Sequence, residues 1–497
     1  MVTPRATRFP FWTFPVLFAA FVFLCTLNSA GYRYGASDLA FYVPAILEQI
    51  DPTLFPRDGS LLAGQARLTT IDEVIAVLAR ATGQGLPVLL GTLHIFTLAL
   101  IACGVWLTGR YFYRTDWAVV ALVAALTLRH AIARSGTNTL EGYFHPRQLA
   151  FGLGALAIAA LMRRRYAATV LLVLAAGFIH PTTALWFAVW AGVAMMVTEQ
   201  RMRVPLAGGA VVGILVGAWL LTAGPLAGRL IVMDPEWLAT LETKDYLFPL
   251  DWPLYAWLIN LAYAPLIVLV YRHRRARGLT LPGETGLVAG CLTLLVIFVL
   301  ALPLNAARIA LVVQLQIPRT FWMLDFLATL YAVWALAEAA GGSVRRAQVT
   351  AAIITLASTT RGAYVMLVRF PDRPVAQVGI ADNDWGRAMA WARATPRGTE
   401  WVADPMHASQ YGTSLRVAGQ RDVLVEAVKD AAIGMYERDV AIRTRDHLAE
   451  LAHFETMTPE QARSLAARQG LDYLVTERTL DLPLAFSSGA VRIYRLK

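Results

Sequence analysis

The stretch Gly31-Tyr-Arg-Tyr-Gly-Ala-Ser-Asp38-Leu-Ala-Phe-Tyr42 follows the first long apolar run of the chain, at 11–30. A helix needs about 20 apolar residues to cross a bilayer, and this run is long enough. The chain is therefore expected to leave the membrane here, to turn, and to present the carboxylate of Asp38 close to the lipid surface.

The composition of the 497 residues indicates a membrane protein. Hydrophobic residues make up 57% of the chain and charged residues 16%, whereas a soluble globular protein has about 25% charged residues. Short cytoplasmic loops collect basic residues and explain the net charge of +10, so no nucleic-acid partner is predicted. The three cysteines, Cys25, Cys103 and Cys291, lie in apolar runs and are interpreted as small buried side chains.

We predict eleven membrane spans from the apolar runs. They cover 11–30, 87–108, 117–133, 148–162, 167–182, 183–198, 205–223, 252–270, 286–303, 319–338 and 349–368. If the chain crosses the membrane at each of these spans, five basic segments lie on the same side of the membrane, which is the cytoplasm by the positive-inside rule. These segments are 111–114, 163–165, 201–203, 272–277 and 345–346. Arg5 and Arg8 place the N-terminus on the same side, ahead of an uncleaved first span rather than a secretory signal.

The opposite side is predicted to hold the long first loop 31–86, three shorter loops and the C-terminal tail. Within the first loop, 39–50 and 71–81 have the apolar period of helices, and Asp38 and Thr70 are candidate N-caps. The shorter loops are 134–147, 224–251 and 304–318.

The link 304–318 is too short and too polar to cross the bilayer, although its apolar residues suit the membrane edge. We interpret it as a short re-entrant or interfacial helix. Proline disrupts a helix interior, so this helix is expected to stop at Pro318.

The tail changes character at about 370, where the share of charged residues becomes that of a soluble domain. Helical patterns alternate there with short strand candidates. The helical patterns are 384–394, 422–452 and 459–468, and the strand candidates are 400–403, 472–475 and 491–495. The predicted fold is an all-α polytopic membrane domain, 1–369, followed by a small α/β domain, 370–497, outside the cytoplasm.

Motifs of several common enzyme classes are missing from the sequence. It contains no Walker loop, no dinucleotide-binding glycine fingerprint, no Cys-x-x-Cys pair, no His-Glu-x-x-His and no Gly-x-Ser-x-Gly. A nucleotide hydrolase and a zinc protease are therefore disfavoured.

Arginines are common on the predicted outer side, against the positive-inside rule. They are Arg33, Arg67, Arg129, Arg134, Arg147, Arg229, Arg308 and Arg319. Snorkelling to the headgroups explains those at span ends, and we favour it for Arg129 and Arg229. Arg147 and Arg319 each open a span in a polar context, where a guanidinium requires an anion. Because the guanidinium fork matches phosphate, a lipid phosphate at the interface is the expected partner.

Three other polar side chains each have two interpretations. His180 is either a satisfied core histidine or a site residue. Asp325 is either in a structural ion pair with an interior arginine or part of a functional site such as a proton relay. Asp38 is either a helix cap, which the physics of the sequence alone favours, or a reactive carboxylate.

The whole arrangement resembles the GT-C glycosyltransferases, polytopic enzymes that use polyprenyl-phosphate sugars. The resemblance rests on an acid soon after the first span, a long first outer loop, a many-span body and a soluble C-terminal domain outside. Four segments look like a bacterial branch of this group and, with the architecture, extend the resemblance over most of the chain. They are Asp38-Leu-Ala-Phe-Tyr-Val-Pro44, Asp51-Pro-Thr-Leu-Phe-Pro-Arg-Asp58, Phe144-His-Pro-Arg147 and Ile179-His-Pro181.

The resemblance implies an inverting sugar transfer at the outer face of the bacterial inner membrane. Asp38 would take the proton from an acceptor hydroxyl on a lipid, glycan or protein. The residues implied for the donor phosphate are Arg147, Arg308 and Arg319, and those implied for positioning the sugar or acceptor are Glu141, His145 and His180. Better-known members commonly carry an Asp-Asp or Asp-Glu pair, whereas Leu39 follows Asp38 here, so a divalent cation stays an open assignment.

Two functions of other classes remain open. A transporter or lipid flippase would use Asp325 and His180 within the bundle, although the sequence contains no inverted repeat. A non-catalytic envelope assembly protein would present the tail domain without any chemistry.

Overall fold

A computed structural model describes residues 9–10, 12–67, 69–339, 341 and 343–497. The predicted cytoplasmic residues Arg5 and Arg8 lie outside this part of the chain. Its contacts divide the chain into two compact units. The first contains 1–32, 93–232 and 245–375, and the second contains 33–92, 233–244 and 376–497.

The described residues form 22 α-helices. In chain order they are α1 (Thr13–Asn28), α2 (Leu39–Ile50), α3 (Gly59–Ala66), α4 (Ile71–Thr82), α5 (Leu86–Phe112), α6 (Asp116–Leu126), α7 (Pro146–Met162), α8 (Tyr166–Ile179), α9 (Pro181–Thr198), α10 (Arg203–Thr222), α11 (Pro235–Leu241), α12 (Leu254–Ala276), α13 (Glu284–Ala306), α14 (Ala310–Gln314), α15 (Thr320–Ala337), α16 (Val344–Tyr364), α17 (Asp384–Arg393), α18 (His407–Tyr411), α19 (Leu415–Ala418), α20 (Ala427–Gly434), α21 (Arg438–Glu450) and α22 (Pro459–Gln469).

Nine short strands are formed in the same part of the chain. They are β1 (Tyr32–Arg33), β2 (Ala131–Ile132), β3 (Thr137–Asn138), β4 (Ala376–Gln377), β5 (Glu400–Val402), β6 (Asp422–Val423), β7 (Tyr473–Thr476), β8 (Leu484–Ser488) and β9 (Val491–Arg495). β2 and β3 form a small antiparallel hairpin before α7. β3 lies in the predicted loop 134–147, whereas β2 lies at the end of the predicted span 117–133, because α6 ends at Leu126.

Helices in the described residues are consistent with a multi-pass membrane protein. Seven helical segments are long and apolar enough to cross a membrane. They are Leu86–Phe112, Pro181–Thr198, Gln200–Thr222, Leu254–Ala276, Glu284–Ala306, Ala310–Ala337 and Val344–Arg369. The other four predicted spans fall on the shorter helices α1, α6, α7 and α8. That these four helices cross the membrane stays a prediction. The total of eleven spans, and the assignment of the loops to the two sides of the membrane, also stay predictions.

The predicted helix in the link 304–318 is present as α14. It ends at Gln314, where the chain turns through a left-handed residue, Gln316, at φ 49°. Pro318 lies in the following 3-10 turn, Ile317–Arg319, rather than at the end of the helix. The predicted stop at Pro318 is therefore wrong, because proline is well tolerated in the first turn of the next helical segment.

An aromatic layer packs α7, α9 and α15 together near their first turns. Phe151 of α7 stacks on Trp322 of α15, with 4.3 Å between ring centroids. Phe187 of α9 meets Phe151 edge-on at 5.7 Å. Gly154 makes the α7–α9 approach possible, since a β-carbon there would lie 2.2 Å from the ring of Phe187. These contacts bring the N-terminal ends of three helices into one region of the first unit.

A buried ion pair joins α12 to α13. Arg274 belongs to the basic segment 272–277, yet it lies within α12 and is only 2% exposed. Its Nε and Nη2 atoms donate to the two carboxylate oxygens of Glu284 at 2.7 and 3.0 Å. The hydroxyl of Tyr331 on α15 donates to the same carboxylate at 3.0 Å. The pair therefore ties three helices together.

Breaking this pair is expected to destabilise the first unit. The substitution Arg274→Met leaves the carboxylate of Glu284 buried without its cation, which costs about 3–5 kcal/mol. Arg275→Met is the matched control, because Arg275 is the next residue of the same helix and is exposed. Thermal unfolding of both variants in lipid nanodiscs measures the difference. Equal melting temperatures for the two variants would contradict the assigned role of the pair.

The second unit contains a five-stranded mixed sheet in the order β6-β5-β7-β9-β8. β6, β5 and β7 are parallel, whereas β9 is antiparallel to both β7 and β8. The predicted combination of helices and strands in the tail is confirmed. The predicted helical stretch 422–452 is divided into β6, α20 and α21.

This unit also contains helices from the first predicted loop. α2 matches its predicted range, α4 extends one residue beyond it, and α3 was not predicted from the turn-rich sequence. Arg416 connects this part of the unit to the tail through a buried network, with Nε 2.7 Å from Asp58 and Nη1 2.6 Å from Asp430. These ion pairs join the first predicted loop to the tail, which is why both belong to the same compact unit.

Candidate functional site

Two His-Pro dipeptides begin helices α7 and α9 in the same way. The Nδ1 atom of His145 accepts the backbone N–H of Arg147 at 3.1 Å. The Nδ1 atom of His180 accepts the backbone N–H of Thr183 at 3.3 Å and its hydroxyl at 3.0 Å. In both helices a proline occupies the first turn, where it removes no hydrogen bond that the helix needs. The histidines therefore act as N-caps, a role usually filled by Ser, Thr, Asp or Asn.

This capping geometry defines the tautomer of both imidazoles. An Nδ1 atom that accepts a hydrogen bond carries no proton, so the ring proton is on Nε2. His145 and His180 are thus neutral rings that each offer an Nε2–H donor. Their ring centroids are 6.5 Å apart.

Arg147 is held rigidly at the start of α7. Its side chain is buried, with Nη2 3.1 Å from the carboxylate of Glu141 and Nη1 donating to the carbonyl of Gly136 at 3.1 Å. Glu141 also accepts a hydrogen bond from Asn138 at 3.0 Å and lies 3.5 Å from a guanidinium nitrogen of Arg129. The carboxylate therefore orients and partly neutralises both arginines, and its role in positioning a sugar stays a prediction.

Arg319 lies at the start of α15, in the turn Ile317–Arg319, and is 8% exposed. Its positive charge acts on the imidazole of His180, as does that of Arg147. We call the set Glu141, His145, Arg147, His180 and Arg319 the cationic cluster. The structure thus brings together five of the residues predicted for the site.

The cationic cluster is suited to an anion. Three helices, α7, α9 and α15, begin in it, and each N-terminus carries about half a positive charge from the helix dipole. Two guanidinium groups and two Nε2–H donors add to this, and one carboxylate opposes them. Backbone and side-chain donors at helix N-termini commonly bind phosphate.

Other predicted residues form separate contacts in the first unit. Arg308 pairs with Asp251 at 3.2 Å and covers the ring of Phe248 at 4.1 Å. Asp325 is 2.9 Å from the Nδ1 atom of His130, so its partner is a histidine rather than the expected arginine. These contacts give neither residue a link to a phosphate.

The two arginines for which snorkelling was favoured both form hydrogen bonds with protein groups. Arg229 is 7% exposed and donates to the side-chain oxygen of Gln314 at 2.7 Å. Arg129 donates to the carbonyl of Leu140 at 3.2 Å, in addition to its approach to Glu141. Both guanidinium groups therefore have hydrogen-bond partners within the protein, and their snorkelling to the headgroups stays a prediction.

Asp38 lies in the second unit, at the N-cap position of α2. Its side chain makes no capping hydrogen bond, so the interpretation of Asp38 as a helix cap is wrong. The carboxylate instead lies 2.5 Å from the Nζ atom of Lys429, which is also 3.2 Å from the hydroxyl of Ser37. Thr70, the other proposed cap, makes no capping hydrogen bond to α4 either.

A second lysine lies close to this pair. The Nζ atom of Lys244 donates to the carbonyl of Val428 at 2.9 Å. Burial and the positive charge of Lys429 lower the pKa of Lys244 to about 8, and the negative charge of Asp38 opposes this shift. Sequence reasoning missed both lysines. The available signal was composition, because the chain contains only three lysines among 44 basic residues.

Comparisons with known proteins add no family to these observations. No protein-family model matches the sequence, and no curated protein is significantly similar to it. Within the described ranges, no group of three or more His, Cys, Asp or Glu side chains is arranged to hold a metal ion. The function is therefore argued from the geometry of the cationic cluster and of Asp38.

The environment of Lys244 predicts a pH-dependent stability. Its pKa falls from 10.5 to about 8 on folding, so folding favours the neutral amine. Burying the charged amine costs free energy of folding, and this cost is at its full value below about pH 8. It disappears as the pH rises to 10.5, the pKa of the lysine in the unfolded chain. Lys244→Met removes this penalty. Its melting temperature relative to the unsubstituted protein should therefore be more favourable at about pH 7 than at about pH 9.5.

Lys497→Met is the control for this experiment, because Lys497 is more than half exposed and pairs with Asp472 at 2.8 Å. Its relative melting temperature should change less between the two pH values. A Lys244→Met difference that is constant with pH, or that grows toward alkaline pH, would show that the lysine is not destabilised by its environment.

Proposed function

We propose that the protein is a membrane glycosyltransferase that uses a polyprenyl-phosphate sugar. It would transfer the sugar to an acceptor hydroxyl on the non-cytoplasmic side, with inversion at the anomeric carbon. The observation that carries the proposal is the cationic cluster, in which Arg147, Arg319 and three helix N-termini converge.

The surroundings of the cationic cluster favour a lipid-linked phosphate over a free one. α9 and α15 belong to segments that are long and apolar enough to cross a membrane, and α7 is a shorter apolar helix. A phosphate bound at their first turns would lie beside apolar helix surface. That combination suits an anionic head attached to a polyprenyl chain.

The cationic cluster would act mainly on the leaving group. When the bond between the anomeric carbon and the phosphate oxygen breaks, negative charge develops on the departing phosphate. Donors that are already oriented stabilise such charge without reorganising. Arg147 meets this condition, because Glu141 and the carbonyl of Gly136 hold its guanidinium in place. The Nε2–H groups of His145 and His180 would supply two further donors.

Asp38 is assigned the role of general base. The acceptor hydroxyl would give its proton to the carboxylate as its oxygen bonds to the anomeric carbon. Lys429, 2.5 Å from the carboxylate, would hold Asp38 in a fixed orientation. Since the carboxylate does not cap α2, helix formation does not explain its presence.

A second candidate function, transport, is favoured by the pair Asp325 and His130. The carboxylate lies in the candidate membrane segment Ala310–Ala337 and is 2.9 Å from the imidazole. Ionisable residues in such segments often mark proton or ion pathways. In this pair, however, the carboxylate and the imidazole are hydrogen-bonded to each other. The cationic cluster contains two guanidinium groups and one carboxylate, and therefore has positive charge available for an anion.

Transfer of labelled sugar from a polyprenyl-phosphate donor in membranes that contain the full chain tests the proposal. Asp38→Asn should slow transfer by about 10²–10⁴-fold, because the amide cannot accept the proton. Asp51→Asn is the matched control, since Asp51 lies at the other end of α2 and pairs with Arg397. Its rate should stay close to that of the unsubstituted protein.

Two results would overturn parts of the proposal. Full transfer by Asp38→Asn would end the assignment of the base. If the unsubstituted protein moves no label but drives proton-coupled solute uptake that Asp325→Asn abolishes, the protein is a transporter.

A further inference from the structure

A cavity of about 470 Å³ opens in the second unit, at the ends of two interior strands of the five-stranded sheet. Its walls include residues that directly follow β5, such as Asp404 and His407. They also include residues at the end of β7, such as Thr476 and Glu477. These are the carboxyl ends of two neighbouring parallel strands.

The topology of the sheet explains why a cavity forms there. After β5 the chain returns to the sheet as β6, which lies on one side of β5. β7 lies on the other side of β5, and the chain continues from β7 to the more distant strands β8 and β9. The connections that follow β5 and β7 therefore diverge. Ligands of open α/β sheets bind in the crevice at such a switch point, outside the carboxyl ends of the strands.

One part of the cavity wall is aromatic. The rings of Trp385 and Tyr411 stack at 4.2 Å with 7° between their planes, and Phe454 also lines the cavity. Such rings offer flat apolar surface to the C–H groups of a ligand.

The rest of the wall is polar, with more acids than bases. Glu477 accepts a hydrogen bond from the hydroxyl of Tyr411 at 2.8 Å, and Asp404 and Glu455 add two further carboxylates. The cation of the wall, Arg478, donates to the carbonyl of Met457 at 2.7 Å. Three carboxylates against one guanidinium disfavour phosphorylated or otherwise anionic ligands.

A buried acceptor in the wall is a separate indication of a ligand. His407 is 0% exposed, and its Nδ1–H donates to the carbonyl of Asp404 at 2.7 Å. Burial lowers the pKa of His407 to about 4, so the ring is neutral and Nε2 is an acceptor. Among the described residues, that Nε2 atom has no hydrogen-bond partner. Buried acceptors are normally satisfied, so this one indicates a donor absent from the protein itself.

We infer that this cavity binds an uncharged carbohydrate, of the size of a mono- or disaccharide. Sugar hydroxyls donate to carboxylates and to an imidazole nitrogen, and they accept from amide groups such as that of Gln410. The C–H face of a sugar ring packs on aromatic rings. The volume is within the range of about 300–1,000 Å³ that is usual for small-molecule sites. The inference does not rest on the proposed transferase activity, because it requires binding alone.

Calorimetric titration of the full chain in lipid nanodiscs tests the inference, since detergents with sugar headgroups would compete for the site. The probes are glucose, N-acetylglucosamine, maltose and cellobiose, with glucose 6-phosphate as the anionic counterpart of glucose. At least one neutral sugar should bind saturably, and glucose 6-phosphate should bind more weakly than glucose or not at all.

Two exposed carboxylates of the wall supply the variants, which avoids disturbing the core of the unit. Glu477→Gln and Glu455→Gln should each lower the affinity for the sugar by about tenfold, the effect of losing one strong hydrogen bond. Glu450→Gln is the control, because Glu450 lies outside the cavity and contacts Arg468 and Gln469. It should bind as the unsubstituted protein does.

The inference fails if none of the four neutral sugars gives saturable heat. It also fails if both wall variants bind as tightly as Glu450→Gln, or if glucose 6-phosphate binds more tightly than glucose.

Discussion

A guanidinium buried among apolar helices requires a partner for its charge, and the pair of Arg147 and Glu141 meets this requirement in the first unit. Removing two ions from water costs several kcal/mol per ion unless hydrogen bonds and charge recover it. The carboxylate recovers part of it and also approaches Arg129, so one acid serves two bases. The surplus of positive charge that this leaves is the property on which a phosphate site depends.

The ends of the helices impose the second constraint. The first N–H groups of a helix have no partner within the helix, and an apolar environment cannot satisfy them. His145 and His180 satisfy one each at α7 and α9, and the tautomer that capping requires places the ring proton on Nε2. The same constraint therefore stabilises the helices and supplies donors to the cationic cluster. Phe151 and Trp322 hold the helix ends together within one turn of that cluster.

Much of this architecture could be predicted from the sequence, because lipid and water impose strong patterns. Apolar runs located the helices, and alternation in the tail located three strands of the sheet. The site residues on α7, α9 and α15 could also be predicted, since Arg147 and Arg319 stand where a charge is costly. The partners of Asp38 and Asp325 could not, because Lys429 and His130 are distant in sequence and only packing brings them close. The cavity beside His407 depends on strand order, which the sequence pattern does not determine.

Affinity for a short isoprenyl phosphate tests the central claim most directly, since it requires neither an acceptor nor turnover. Citronellyl phosphate is titrated into the full chain in nanodiscs, with citronellol as the uncharged counterpart. Arg319→Gln should lower the affinity for citronellyl phosphate by about 10–100-fold, the loss expected for charge-assisted hydrogen bonds. It should leave the affinity for citronellol unchanged. Arg345→Gln, at an exposed position, should have no effect. Equal phosphate affinity in Arg319→Gln and the unsubstituted protein would contradict the account.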